Sequence, residues 1–128
     1  MADKSAVHTD QAPAQFQGAP YSQGITAGGL VFVSGQLGLK PGESVFSGGI
    51  AVQTEQIFQN LRAILEEAGS GLDRLVKTTV FLLDLTEFQA MNEVYARHVG
   101  EVPPARSTVE ISALPSGARV EIDAIALL

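Results

Sequence analysis

The period of the hydrophobic positions changes several times along the chain. Gly29 to Gly35 (GLVFVSG) is a short apolar run closed by glycine, which predicts a strand. Residues 40–49 hold Pro41, Gly42, Gly48 and Gly49 and read as a loop. From Ile50 to Ala68 the period becomes helical. Ile57, Leu61, Ile64, Leu65 and Ala68 fall on one stripe, and Gly69 supplies the stop. Val76 to Leu83 (VKTTVFLL) is β-branched and aromatic and predicts a second strand. Thr86 to Gln89 has the form of a capping box. It opens a second helix that runs to about Val99, with Phe88, Met91 and Tyr95 on one face, and Pro103 and Pro104 end it.

Two strands close the chain. From Ser107 to Ala113, Val109, Ile111 and Ala113 share one face. Thr108, Glu110 and Ser112 share the other, together with Arg106 if the strand reaches back that far. From Ala118 to Leu127, Val120, Ile122 and Ala124 alternate with Glu121 and Asp123. Leu114 to Gly117 reads as a hairpin loop, and pairing Ala113 with Ala118 sets Arg106 and Glu121 on the same face. The element order predicts an α+β fold, with a mixed or antiparallel sheet covered on one face by two helices. VFV and VFLL are apolar on both alternating faces, so the uncovered face also needs a partner. Self-association is the economical solution.

Composition narrows the class. With 128 residues, 45% of them hydrophobic, the chain has material for one domain with a full core. Residues 1–18 are rich in Ala, Gln and Pro and read as a flexible N-terminal arm, leaving 19–128 as the single domain. The net charge of -6 and the scattered basic residues argue against nucleic acid as the main partner. The absence of cysteine removes disulfides, thiolate nucleophiles and Cys-based zinc sites. The N-terminal residues do not read as a secretory signal and no apolar run is long enough to span a membrane, so a soluble cytoplasmic protein is expected.

Candidate chemistry centres on Arg106. It follows the rigid Pro103-Pro104-Ala105 and opens a strand, where a guanidinium can present a planar fork to a carboxylate. An ion pair to Glu110 or Glu121 is the alternative. Glu121 interrupts an apolar strand; it either faces solvent or lines a pocket, where burial would raise its pKa into a useful acid–base range. Asn92, four residues after Phe88, sits at the edge of an apolar helix face. There its amide either caps a neighbouring backbone group or points into a pocket. Tyr21 reads as a packing residue with its hydroxyl in water, and Gly35 as the residue that makes the Ser34-Gly35-Gln36 turn; exposure of the turn's backbone amide groups to a ligand is the less favoured reading. His8 and His98 have no metal-ligand company, and there is no phosphate loop, dinucleotide fingerprint or nucleophile elbow.

The segments APYSQG (19–24), VFVSGQ (31–36), NLRAILEEAG (60–69), VKTTVFLLDL (76–85), FQAMNEVYARH (88–98), PPARSTVEI (103–111) and GARVEIDAIA (117–126) together resemble the RidA (YjgF) family of 2-iminobutanoate/2-iminopropanoate deaminases. The resemblance implies a fold like that of the Bacillus-type chorismate mutase, assembled as a homotrimer with ligand clefts between subunits. It implies hydrolysis of 2-imino acids and enamines, such as 2-aminoacrylate, to 2-keto acids and ammonia, with no metal or organic cofactor. Arg106 matches the arginine that holds the substrate carboxylate, and Glu121 the glutamate associated with the attacking water. Tyr21, Gly35 and Asn92 match cleft-lining positions, and Thr108 stands where many members carry Cys. A non-catalytic trimer that senses 2-keto acids in the same cleft is the other role that the resemblance allows. The N-terminal arm looks longer than in typical members.

Overall fold

The structure is a computed structural model describing residues 3–128. Its strands are β1 (Ser5–Val7), β2 (Gly24–Ala27), β3 (Leu30–Leu37), β4 (Leu75–Leu82), β5 (Ala105–Glu110) and β6 (Val120–Leu127). Its helices are α1 (Ile50–Glu67) and α2 (Phe88–Ala96). The strands form one six-stranded sheet in the order β1-β2-β3-β6-β4-β5, antiparallel except for the β4–β5 pair. The α+β class and the mixed sheet agree with the sequence reading.

The core lies between the helices and one face of this sheet. Ile57, Phe58, Leu61, Ile64 and Leu65 of α1 and Met91 of α2 pack in it with Val31, Val80, Leu82, Val120, Ile122 and Ala126 of the sheet. β6 is central, and every second residue from Val120 to Ala126 is buried on the helix side, as its alternation requires. The stop at Gly69 holds: this glycine has φ 87 just past the end of α1.

Three expectations are corrected. Residues 3–18 are not a flexible arm; Met1 and Ala2 lie outside the described residues. β1 adds to the sheet edge through β2, and Val7 and Ala12 enter the core. Buried Gln23 holds the segment that follows. Its Oε1 accepts from the Thr9 N–H (2.7 Å), and its Nε2 donates to the carbonyls of Thr9 (3.0 Å), Ala12 (3.4 Å) and Pro13 (2.9 Å). One glutamine thus satisfies backbone groups that have no ladder partner. Second, Leu114–Gly117 does not join a hairpin. β5 runs parallel to β4, with α2 as the crossover, while β6 inserts between β3 and β4. The crossing loop is fixed from α1: Gln53 Nε2 donates to the Gly117 carbonyl and its Oε1 accepts from the Arg119 N–H. Third, the second helix is shorter than expected and no Thr86 capping box forms. The Asp84 carboxylate accepts from the Thr86 N–H and hydroxyl, capping a single 3₁₀ turn over Leu85–Glu87 that leads into α2.

The other sheet face carries no helix. Ile25, Phe32 and Ile125 line up in one cross-strand row, and Phe81 and Val109 in another. Phe32 is 40% and Val109 41% exposed, so the apolar second face foreseen from VFV and VFLL is bare on the single chain.

Candidate active site

Arg106 projects from β5 toward the helix layer. It pairs with Thr78, whose side chain is buried against α2. α2 presents Phe88, Asn92 and Tyr95 at i, i+4 and i+7, one helical face. The Arg106 Cζ sits 4.7 Å from the Tyr95 ring centroid and 5.5 Å from that of Phe88. Its Nη1 donates to Asn92 Oδ1 at 2.8 Å. The two rings and one amide fix the plane of the guanidinium, and Asn92 takes only one of its N–H groups. The Tyr95 hydroxyl is held by Thr78 Oγ1 at 2.6 Å.

Neither candidate ion pair forms: among the described residues Arg106 has no carboxylate partner, and Glu110 instead accepts from the Leu85 N–H at 2.9 Å. A half-buried cation held by aromatic rings and a neutral amide suits an anionic ligand. Thr108 lies two residues further along the same strand, and its buried Oγ1 has no partner among the described residues.

A second cluster forms around Glu121. A bulge interrupts the β3–β6 ladder between Val33 and Gln36 and places Ser34 and Gly35 beside the Glu121 side chain. A Cβ at residue 35 would meet the Glu121 carboxylate, so a side chain there would push Glu121 out of its present position. Burial raises the Glu121 pKa, and the nearby Asp123 charge adds to the rise. Phe16, Tyr21, Ser34, Leu37 and Pro115 complete a cavity of about 340 Å³ around Gly35 and Glu121. The Tyr21 hydroxyl accepts from the Phe16 N–H at 2.6 Å, and Ser34 Oγ donates to the Ser22 carbonyl at 2.6 Å.

Tyr21, Gly35 and Glu121 therefore come together, and so do Asn92 and Arg106, but the two groups stay apart within one chain. Arg106 is in register with Thr78 and Glu121 with Phe81, three residues further along β4, so they occupy opposite sheet faces. The same-face expectation fails because it assumed that β5 pairs with β6. Sequence reasoning also missed the aromatic support of Arg106. The spacing of Phe88 and Tyr95 was visible, but it reads as an ordinary core stripe. Phe16 was missed because its segment was assigned to an arm.

His98 Nε2 meets Glu55 Oε1 at 2.9 Å, and its ring stacks on Phe58. No group of three or more His, Asp or Glu side chains among the described residues is placed to hold a metal ion. No helix there is long and apolar enough to cross a membrane.

The profile of the family described as Endoribonuclease L-PSP matches residues 9–128. The chain belongs to this family, the YjgF/RidA family. Among members of the YjgF/RidA family, it is 44% identical over 127 residues to Protein DfrA of Myxococcus xanthus, covering 97% of this chain and 95% of that one. It is 45% identical over 126 residues to the chloroplastic Reactive Intermediate Deaminase A of Arabidopsis thaliana, covering 98% of this chain and 66% of that protein. The crystal structure of RidA from the Antarctic bacterium Psychrobacter sp. PAMC 21119 is 41% identical. It superposes with a TM-score of 0.91 over 97% of this chain and 99% of that one. The six-stranded sheet with two helices is thus the fold of solved YjgF/RidA structures.

Proposed function

We propose that the protein is a cytoplasmic deaminase that hydrolyses 2-imino acids to 2-keto acids and ammonia, in clefts assembled between the subunits of a homotrimer. The observation that carries this reading is the Arg106 guanidinium, which has no carboxylate partner among the described residues and is held by Tyr95, Phe88 and Asn92 with N–H groups left to bind a carboxylate. Membership of a family that includes a protein named Reactive Intermediate Deaminase A supports the reaction class. Two features support assembly with further copies of the chain, and the resemblance to RidA proteins implies three. The apolar open face needs cover, and the two half-sites lie on opposite faces of one sheet, so a cleft holding both draws them from different subunits.

In such a cleft Arg106 binds the substrate carboxylate, and the imine carbon is directed toward the Glu121 side. Tyr21, Gly35 and Thr108 line the space between. A protonated imine is already electrophilic, so the protein mainly orients the reactants and moves protons. Water loses a proton to the Glu121 carboxylate as its oxygen bonds to the imine carbon. Glu121 returns that proton to the carbinolamine nitrogen, and the C–N bond then breaks as the hydroxyl gives its proton to the Glu121 carboxylate, so that the C=O forms and ammonia leaves. Glu121, its pKa raised by burial, is suited to accept and return that proton. Neither a metal nor an organic cofactor is called for.

The family description names an endoribonuclease. A net charge of -6, with Arg106 enclosed by aromatic rings rather than placed in a basic track, favours a small carboxylate over RNA. The test is turnover of enzymatically generated 2-aminoacrylate, with light scattering on the same sample. Accelerated release of pyruvate and ammonia by a trimer is expected. A monomer at micromolar concentration contradicts the shared cleft. A trimer that binds 2-keto acids without turnover shifts the role to metabolite sensing.

A further inference from the structure

The Glu121 cavity does not stand alone. A second cavity of about 350 Å³ lies against it, bounded among others by Pro13, Gln23, Leu39 and Glu43. Phe16, Tyr21, Gly35 and Leu37 line both. Of these, Gly35 has no side chain, Tyr21 is tied through its hydroxyl, and Leu37 belongs to the β3 ladder. Phe16 comes from outside the sheet, is half-buried and lines both spaces.

The segment that carries this ring is fastened at both ends. Gln23 ties residues 9–13 through their backbone, and Tyr21 Oη takes the Phe16 N–H. Between them Gln17 adopts φ 54, the left-handed region that a non-glycine residue seldom enters, and the Gly18 N–H closes the turn on the Gln15 carbonyl at 3.1 Å. A backbone held in this way presents Phe16 as a fixed wall, on the side where Leu37 and Pro115 make the Glu121 cavity apolar.

We propose that Phe16 is the specificity-determining residue for the substrate's side chain: its ring closes the Glu121 cavity off from the second one and limits the imino acid to small apolar side chains. The proposal rests on reading the cleft as an imino-acid site. With the carboxylate on Arg106 and the imine carbon near Glu121, the side chain is left to the apolar wall of Phe16, Leu37 and Pro115. Removing the ring joins the two cavities and makes room for a branched or aromatic side chain. A hydrophobic wall discriminates through steric exclusion and lost contact, each worth roughly one to two orders of magnitude in specificity.

The test compares wild type, Phe16→Leu and Phe16→Ala in two series. One is kcat/KM on imines generated by an amino-acid oxidase from alanine, 2-aminobutyrate, leucine and phenylalanine. The other is calorimetric binding of the matching 2-keto acids, which reads the side-chain pocket without the chemistry. In both, the wild type should prefer the small members. Phe16→Ala should move the large-to-small ratio by ~10-fold or more toward the large ones, with Phe16→Leu between. A purely structural role for Phe16 would lower all members alike.

An unchanged ratio in both series, in variants that turn over the alanine-derived imine, overturns the proposal and leaves the deaminase reading intact. A shifted 2-keto acid preference in a wild type without turnover supports the Phe16 wall and overturns deamination. Absence of both binding and turnover in the wild type overturns both.

Discussion

Arg106→Ala should weaken binding of pyruvate or 2-ketobutyrate by about 2–4 kcal/mol, roughly 30- to 1,000-fold in Kd, while the chain stays folded and assembled. The size follows from what is removed. Arg106 is the one residue in its cluster able to neutralise a carboxylate, and Asn92, Phe88 and Tyr95 beside it are uncharged. Arg106→Lys separates charge from shape. Lys keeps the charge but loses the planar fork and the stacking on Tyr95, so its affinity should fall between the two. Calorimetry on both variants with light scattering as a control measures this, and an Arg106→Ala trimer with wild-type affinity would remove the arginine from the site.

Glu121→Gln is expected to divide the two functions of the cleft. 2-Keto acid affinity should change little, because in the proposed cleft it is Arg106 that binds the carboxylate. The deamination rate should fall by roughly 10²-fold or more, the usual contribution of a positioned general base. Uncatalysed hydrolysis of the imine sets a floor beneath this effect, so the rate must be read above the background.

The pH dependence carries a sign that can be checked. Burial, then the Asp123 charge, raises the Glu121 pKa. Activity should therefore be lost on acidification at a pH above the ordinary glutamate range of about 4.3. Between that ordinary value and the raised one, the folded chain binds more protons than the unfolded chain. Stability then declines as pH rises through this window, and above it the ionised Glu121 is a standing cost. Glu121→Gln lacks that cost and should be at least as stable as the wild type at neutral pH. A Gln variant with near-normal rate, or one that mainly loses ligand affinity, would remove Glu121 from water activation and make it a structural partner.

The parts of this arrangement that were legible in the sequence are those governed by local period. The α1 stripe from Ile57 to Ala68, the apolar runs of β3 and β4 and the alternation of β6 all stand where the pattern put them. What stayed hidden depends on partners distant in sequence. β5 and β6 are consecutive and the Leu-Pro-Ser-Gly stretch between them reads as a turn, yet β5 ends well before it, at Glu110, and joins β4 in parallel. The register that seemed to unite Arg106 with Glu121 failed with the hairpin. β1 was invisible because three residues are too few to show a period, and what fixes the following segment is Gln23, a side chain whose partners are backbone atoms.

The candidate site divides in the same way. Arg106 and Glu121 stand out by chemical type in their strands, and the resemblance to RidA proteins names them together with Tyr21, Gly35, Asn92 and Thr108. The contact of Gly35 with the Glu121 carboxylate is visible only when the bulge brings them together. Asn92, open between backbone capping and a pocket, turns out to hold the arginine. Phe16 drew no notice in the sequence because the two cavities that it lines form only in the folded chain.

The proposed cleft requires the Arg106 and Glu121 half-sites, which one sheet keeps on opposite faces, to act together across a subunit boundary. Complementation between two variants puts this to the test. Arg106→Ala and Glu121→Gln chains are co-expressed in equal amounts under different tags, mixed assemblies are formed, and deamination is compared with each parent alone. In a cyclic trimer every mixed assembly has one cleft with a native arginine from one subunit and a native glutamate from its neighbour. A random mixture should therefore recover about a quarter of the wild-type activity. Activity no higher than the average of the two parents, with mixed trimers demonstrated by their tags, would contradict the shared cleft.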